Sequence, residues 1–344
     1  MFQTYRSTQL CLLTTMSLPP SALFVAASLA GSLLVYALTG GADYGGGVWD
    51  LLAHGPRASA HRKLIAHAIG PIWEANHVWL ILVVVVLFTA FPPAFATLTT
   101  YLHVPLTLVL IGIVLRGSSF VFRAYDPKPS AMERQWERIF AVASLVTPFL
   151  LGVIAGAIMS GRVYPANGFW HSWIGFYPFL VGLFTVALFA YLAAVYLILE
   201  TEEAPLREDF RKRALLSGLC VLVLQLIVLL QWIVLGDLQH ALPVIADRLL
   251  AWPLQLVAIL STTGAAWSLW TRKYFAARAF AVAQVATIIG GWLLAQFPFL
   301  IVPDFTISNS AAPIATLHAL LTALICGALV LFPSFFYLYR VFKR

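Results

Sequence analysis

Charge is what this sequence has least of. Only 10% of its 344 residues are Asp, Glu, Lys or Arg, against about 25% in a soluble domain. With 61% hydrophobic residues, a water-exposed fold would lack the polar surface to cover itself. That excludes a soluble globular chain and leaves an integral membrane protein. Cysteine is scarce too. Cys11, Cys220 and Cys326 form no CxxC or CxxCH, so the chain carries no signal for a disulfide framework, a zinc site or covalent haem attachment. No long linker or low-complexity tract interrupts it. The first 15 residues lack the basic n-region and small-residue cleavage site of a signal peptide, and Met16 offers a second start.

Long apolar runs are abundant. A helix crosses the hydrocarbon core with about 20 apolar residues. Nine segments qualify, at 20–41, 72–95, 98–122, 137–160, 171–199, 212–236, 249–271, 275–298 and 312–339. The runs are continuous rather than alternating, which argues against strands. The expected fold is therefore all-α, a single membrane domain over 1–344 with nine transmembrane helices. Eighteen of the 21 Lys and Arg residues fall on one side of such an arrangement. Arg6, Arg162 and Arg248 fall on the other. By the positive-inside rule the N-terminus is expected outside and the C-terminus in the cytoplasm. The net charge of +7 then reflects topology and attraction to anionic membrane lipid, not nucleic acid. The stretch "RASAHRKLIAHAI" (57–69) gathers Leu64, Ile65, Ala68 and Ile69 on one face. It reads as a short interfacial helix, or as an ordinary connecting loop.

Ionisable residues inside spans are costly and mark function by default. Asp43, Asp50 and Glu74 are the acids left once loop residues are set aside. Asp43 ends the first span and Glu74 opens the second in "GPIWEANHVWL" (70–80). Glu74 has two readings. It is a cap matched to the positive end of the helix dipole, or a desolvated, proton-carrying carboxylate. The second is favoured by His77 at i+3, by Trp73 and Trp79 as walls, and by Asn76. The five glycines of "GGADYGGGVWD" (40–50) disfavour a continued helix and permit turns or close backbone approach. Asp43 would there face the second span, or lie in a flexible helix exit. Arg116, about two turns inside the third span, either snorkels to the surface or pairs with an acid or an anionic cofactor group. Tyr, Trp and Phe near span ends read as interface anchors and lipid-facing surface.

Histidine placement sets limits. Glu74-x-x-His77 is half of a di-iron motif, but no second Glu-x-x-His exists. Among eight histidines, His77 and His318 alone fall inside spans, in opposite halves of the bilayer, whereas a membrane haem needs facing ligands at one depth. No metal site is expected in this chain.

Several stretches resemble subunit II of cytochrome bd-type quinol oxidases, including the cyanide-insensitive branch. They are "GADYGGGVWDLL", "GPIWEANHVWL", "LRGSSFVFRAY", "ERIFAVASLVTPFLLG" and "GWLLAQFPFLIVPDFTI" followed by "AAPIATL". They run in order from the first span to the ninth. The resemblance implies two four-helix bundles (20–160 and 171–298) and one peripheral helix (312–339) in a bacterial cytoplasmic membrane. It implies a heterodimer with a similar subunit I that holds two b-type haems and one d-type haem, oxidises quinol and reduces O₂ to water. This chain would contribute assembly and part of a cytoplasmic proton pathway. Some members hold a quinone, and small single-span accessory subunits fit the family. Glu74 falls on the proposed proton-path acid, with Trp73, Asn76 and Trp79 on its matched neighbours, and from there the proton is expected to pass through His77 or water toward the haem side. Asp43 falls on the second acid of an Asp-Gly-x-Asp stretch whose first acid is Gly40 here. Arg116 falls on an Arg-Gly motif with a structural or propionate-pairing role.

A different class, a proton-coupled secondary transporter, would also use a membrane carboxylate and glycine-rich breaks. It requires discontinuous helices at the midplane in two related halves.

Overall fold

The computed structural model describes residues 19–70, 72–125, 131–163, 168–235 and 251–342. Pro71, Met16, Asp126, Asp237 and Asp247 lie outside the described residues. Each predicted span corresponds to one helix: α1 (Pro20–Leu51), α3 (Trp73–Ala90), α5 (His103–Tyr125), α6 (Ala131–Met159), α8 (Phe176–Leu199), α9 (Ala204–Leu235), α10 (Ala251–Trp270), α11 (Tyr274–Gln296) and α13 (Ile314–Phe342). Among the described residues eight of these are long and apolar enough to cross a membrane, and α10 contributes a shorter apolar stretch, Leu256–Trp270. Four short helices join them: α2 (Ala58–Ile69), α4 (Pro92–Tyr101), α7 (Gly168–His171) and α12 (Ile307–Ser310). A small antiparallel hairpin, β1 (Phe299–Ile301) and β2 (Phe305–Thr306), precedes α12.

Helix α8 is the packing centre. It is apolar all round, as a helix buried on every side must be, and 67% of its most apolar window lies inside the protein. It contacts α1, α6, α9 and α11. Helix α13 lies outermost, against α1 and α3, with 6% of its window buried. At one end of the assembly α1, α5, α8, α10 and α13 finish and α3, α6, α9 and α11 begin. The described Lys and Arg residues gather at this basic end, with Arg162 at the far one. A second apolar core closes the far end, built on Val25, Val86, Phe91, Leu102, Ile301 and Leu317.

Three expectations need correction. The glycine-rich stretch does not end the first span: α1 runs through it unbroken to Leu51. Its glycines serve close approach. A Cβ on Gly45 would overlap the carbonyl oxygen of Phe189, and one on Gly47 would overlap Ser144. A Cβ on Gly41 would lie 2.6 Å from the Phe189 ring. The propensity cost of about 1 kcal/mol per glycine yields to packing, and in a membrane released backbone groups find no water. A transporter-type break is therefore absent from α1. The second and third spans are also not separated by a bare gap at 96–97. α4 occupies 92–101, opened by Pro92 and Pro93 where a missing N–H is harmless. Tyrosines near span ends, finally, are not all interface anchors: Tyr36 and Tyr44 are buried in the core.

The stretch 57–69 is helical, and Ile65, Ala68 and Ile69 face inward with Leu64 half-buried. His61 joins that buried face.

Gly45→Ala is expected to force α1 from α8, because the obstructing atom is backbone and cannot rotate away. Overpacking of this kind costs about 1–3 kcal/mol. Thermal unfolding of the purified complex should show a lowered midpoint, while Gly31→Ala, with nothing within 4 Å of its added Cβ, leaves it unchanged or raised.

Candidate functional site

The last turns of α1, the first turns of α3, and the middle of α5 and α6 converge near the basic end. Asp43, Asn76 and Arg116 are all buried there, Arg116 at 1% exposure. Asn76 Nδ2 donates to Asp43 Oδ2 at 2.6 Å. From α13 the Tyr339 hydroxyl reaches Asn76 Oδ1 at 3.5 Å. Arg116 does not snorkel. Its Nη2 donates to the backbone carbonyl of Asp43 at 3.1 Å, and its Nε donates to Ser144 Oγ at 3.2 Å. The guanidinium lies 4.9 Å from the Tyr44 ring centre and 5.2 Å from that of Phe140. A buried cation is tolerable only when its donors are used and its charge is met. Two acceptors and two ring faces, each ring worth about 2 kcal/mol when desolvated, do this beside the Asp43 carboxylate. Asp50, also buried, has Arg62 Nε 3.8 Å from its Oδ1.

A polar seam continues along α1. The Tyr44 and Tyr36 hydroxyls meet at 3.1 Å in the core. The His77 ring lies 6.0 Å from Tyr36, 6.2 Å from Tyr44 and 6.1 Å from Trp73, centre to centre. Its Nδ1 is buried and has no hydrogen-bond partner among the described residues. Trp79 is buried against Phe335 and Phe332 of α13, at 5.6 and 6.2 Å.

Glu74 stands apart from this group. It is exposed in the first turn of α3 and, among the described residues, makes no hydrogen bond or ion pair. Trp73 turns to His77 and Phe120, and Trp79 to α13, so neither walls the carboxylate. Glu74 heads an exposed stripe of Val78, Ile81, Val85 and Phe88, spaced as one helix face. The structure thus brings Asp43, Asn76, Arg116 and His77 into one neighbourhood and leaves Glu74 on the outer surface of this chain.

Sequence reasoning missed Tyr36, Tyr44, Ser144 and Tyr339, whose residue types carry no signal inside apolar runs. It also missed a second network at the basic end. Arg57 donates to both carboxylate oxygens of Asp209 at 2.7 Å. His61 Nε2 lies 3.0 Å from Asp209 Oδ2, and Arg213 Nη2 lies 3.3 Å from His61 Nδ1. Arginine can only donate, so Nδ1 accepts and Nε2 carries the proton given to Asp209. The imidazole is neutral, and burial, then the Arg213 charge, lower its pKa from the ordinary 6.5. This network ties α2 to the start of α9. Trp49 adds a bond to the Ala190 carbonyl at 2.7 Å, with Arg213 stacked 5.3 Å from its ring.

No group of three His, Cys, Asp or Glu able to hold a metal occurs among the described residues. His318 is exposed in the second turn of α13 at the far end, and His77 stands at the basic end. The two stand at opposite ends and do not form an axial pair.

Buried ionic groups at one end of an assembly of long apolar helices define a polytopic membrane protein. The family model for cytochrome bd terminal oxidase subunit II matches residues 21–342. The chain belongs to that family: it is a bacterial membrane protein and a subunit of an oxidoreductase complex, paired with a subunit I in which the family places haem. It is 24% identical to the putative cytochrome bd menaquinol oxidase subunit II of Bacillus subtilis (strain 168), over 96% of this chain and 97% of that one. It is 28% identical to cytochrome bd-I ubiquinol oxidase subunit 2 of Escherichia coli (strain K12), over 50% and 47%. Its fold matches a chain in the structure of bd oxidase from Geobacillus thermodenitrificans with a TM-score of 0.72, 21% identity and coverage of 94% and 99%.

Asn76→Leu removes the donor that Asp43 uses inside the core. It is expected to destabilise the subunit by about 1–3 kcal/mol, read as a lowered unfolding midpoint. The α2 network should respond to pH. Because the folded imidazole has the lower pKa, the unfolded state binds more protons. The contact is fully stable above about pH 6.5 and weakens as pH falls through 6.5 toward the lowered folded value. Amide exchange over 58–69 should accelerate across that interval, and His61→Gln should abolish the dependence.

Proposed function

We propose that this chain is the quinol oxidase subunit that assembles with a haem-bearing subunit I and supplies part of the proton route from the cytoplasm. The observation that carries this is the buried Asp43–Asn76–Arg116 cluster at the basic end. Ionisable groups in a membrane interior are expensive, and this cluster lies at the end that the Lys and Arg distribution supports as cytoplasmic, in a reading with the N-terminus outside and the C-terminus inside. In this reading the partner carries two b-type haems and one d-type haem, and O₂ reduction takes place there. Quinol as the electron donor follows from the relatives, which are subunits of a menaquinol and a ubiquinol oxidase. This chain's residues handle protons only. Glu74, at the head of the exposed α3 stripe, takes a proton from the cytoplasmic side once subunit I covers the stripe and excludes water. Asp43, held by Asn76 and beside Arg116, is the buried carboxylate behind it. His77, with a ring nitrogen to spare, stands between the α3 entrance and the Tyr44–Tyr36 hydroxyls. Trp73 and Trp79 fix α3 against α5 and α13.

Glu74→Gln and Asp43→Asn in the assembled complex test this. Each is expected to slow steady-state quinol oxidation by about tenfold or more, within the range general acid–base groups supply, with haem absorbance and subunit stoichiometry unchanged. Glu74→Asp should retain most of the rate. Loss of haem absorbance in Glu74→Gln would assign a structural role instead. A colourless chain purifying without a second subunit would overturn the oxidase assignment itself.

A further inference from the structure

We propose that the α10–α11 turn and the first turns of α9 form a binding site for the phosphodiester headgroup of an anionic phospholipid. Two neighbouring cavities of about 320 and 440 Å³ open at the basic end. Arg211, Trp270 and Thr271 line the first, and Arg207, Lys273, Tyr274 and Phe275 the second. Arg272 borders both, and no acid lines either. Four cations thus face the openings. Glu208 pairs with two of them, mainly Arg211, at 2.7 and 2.9 Å, with Arg272 at 3.5 Å. Glu202 and Glu203 of the preceding turn are exposed and line neither cavity.

Arg272 is the unusual member. Its φ is 60°, a left-handed conformation that glycine adopts freely and other residues rarely. Lys273 N–H donates to the Ser268 carbonyl at 2.8 Å, and Arg272 N–H to that of Leu269 at 3.4 Å. This is the helix-ending motif in which glycine normally occupies the position of Arg272. A backbone that would suit glycine instead presents a guanidinium, 66% exposed, between two cavities. Guanidinium matches phosphate oxygens in a bidentate fork.

The surroundings select a lipid rather than a free anion. Trp270 and Phe275 flank the site at 73% and 82% exposure, in the manner of aromatic residues at the headgroup level. Below them Leu216, Leu219 and Leu260 are exposed on α9 and α10 and offer acyl chains a surface. Basic pockets between spans at the cytoplasmic face suit such headgroups.

The test uses the intact oxidase, purified with subunit I and stripped of loosely bound lipid. Native mass spectrometry would measure binding of cardiolipin, phosphatidylglycerol and phosphatidylcholine, with inorganic phosphate as a competitor. The variant is Arg272→Gly with Lys273→Gln, since glycine fits the backbone at 272, and its unfolding midpoint is recorded alongside. The wild type is expected to bind the two anionic lipids at least tenfold more tightly than phosphatidylcholine. Millimolar phosphate should not displace them, and the variant should lose at least tenfold in affinity while its midpoint holds. Equal binding of all three lipids, an unchanged variant, or no anionic lipid bound to the wild type would each overturn the proposal. Displacement by millimolar phosphate would reassign the site to free anions.

Discussion

The rest of the assembly is arranged around one buried guanidinium. Arg116 has no water to reach, so its donors must find oxygen within the protein. The oxygens it uses are the Asp43 carbonyl on α1 and the Ser144 hydroxyl on α6. These can be reached from one side chain of α5 only if α1 and α6 come very close. Gly47 against Ser144 permits that approach, and Gly41 and Gly45 permit the matching approach of α8. The glycine run, the central position of α8 and the burial of Asp43 are therefore consequences of a single constraint. The cation must be solvated by protein, and only a side-chain-free strip of helix brings enough protein near it.

Two acids begin from the same expectation and end in opposite situations. Asp43 receives a 2.6 Å hydrogen bond from Asn76 inside the core, so this chain alone solvates it. Glu74, three helical positions from His77, is turned outward at the top of an apolar stripe. A carboxylate on a face otherwise made of Val78, Ile81, Val85 and Phe88 is incomplete in a way that Asp43 is not. What surrounds it is set by whatever covers α3, and in the proposed arrangement that cover is subunit I. The drying that a proton-carrying acid needs is then a property of the complex rather than of the subunit.

Much of this was legible in sequence. Continuous apolar runs placed every long helix, because length and composition are nearly the whole requirement for crossing a membrane. The Lys and Arg distribution identified the basic end, and "WEANHVWL" marked α3 as chemically special. The errors have a common physical source. Glycine propensity predicted a broken α1, since local preference is a weak prior against tertiary packing. Arg116 had snorkelling open to it, since single-helix reasoning cannot see Ser144 or a carbonyl on another helix. Tyr36 and Tyr44 were read as surface anchors, because a phenol in an apolar run looks the same whether its hydroxyl meets water or another hydroxyl 3.1 Å away. The Arg57–Asp209–His61–Arg213 network joins residues some 150 positions apart, and nothing local announces it.

The extent of the polar seam bears on what kind of machine this is. From Tyr44 to Tyr36 it covers eight residues of α1, about 12 Å of helix. Beyond Tyr36 the next hydroxyls on α1, Ser32 and Ser28, bond back to the carbonyls of their own helix at 2.7 Å and have no free proton to pass along. Further on, Val25, Phe91 and Leu102 seal the far end with fully buried apolar side chains. The polar groups thus enter from the basic end and stop part-way, where a transporter would need access from both faces. A polar seam that enters from one end but does not cross fits the proposed delivery of protons sideways, to chemistry in a neighbouring subunit.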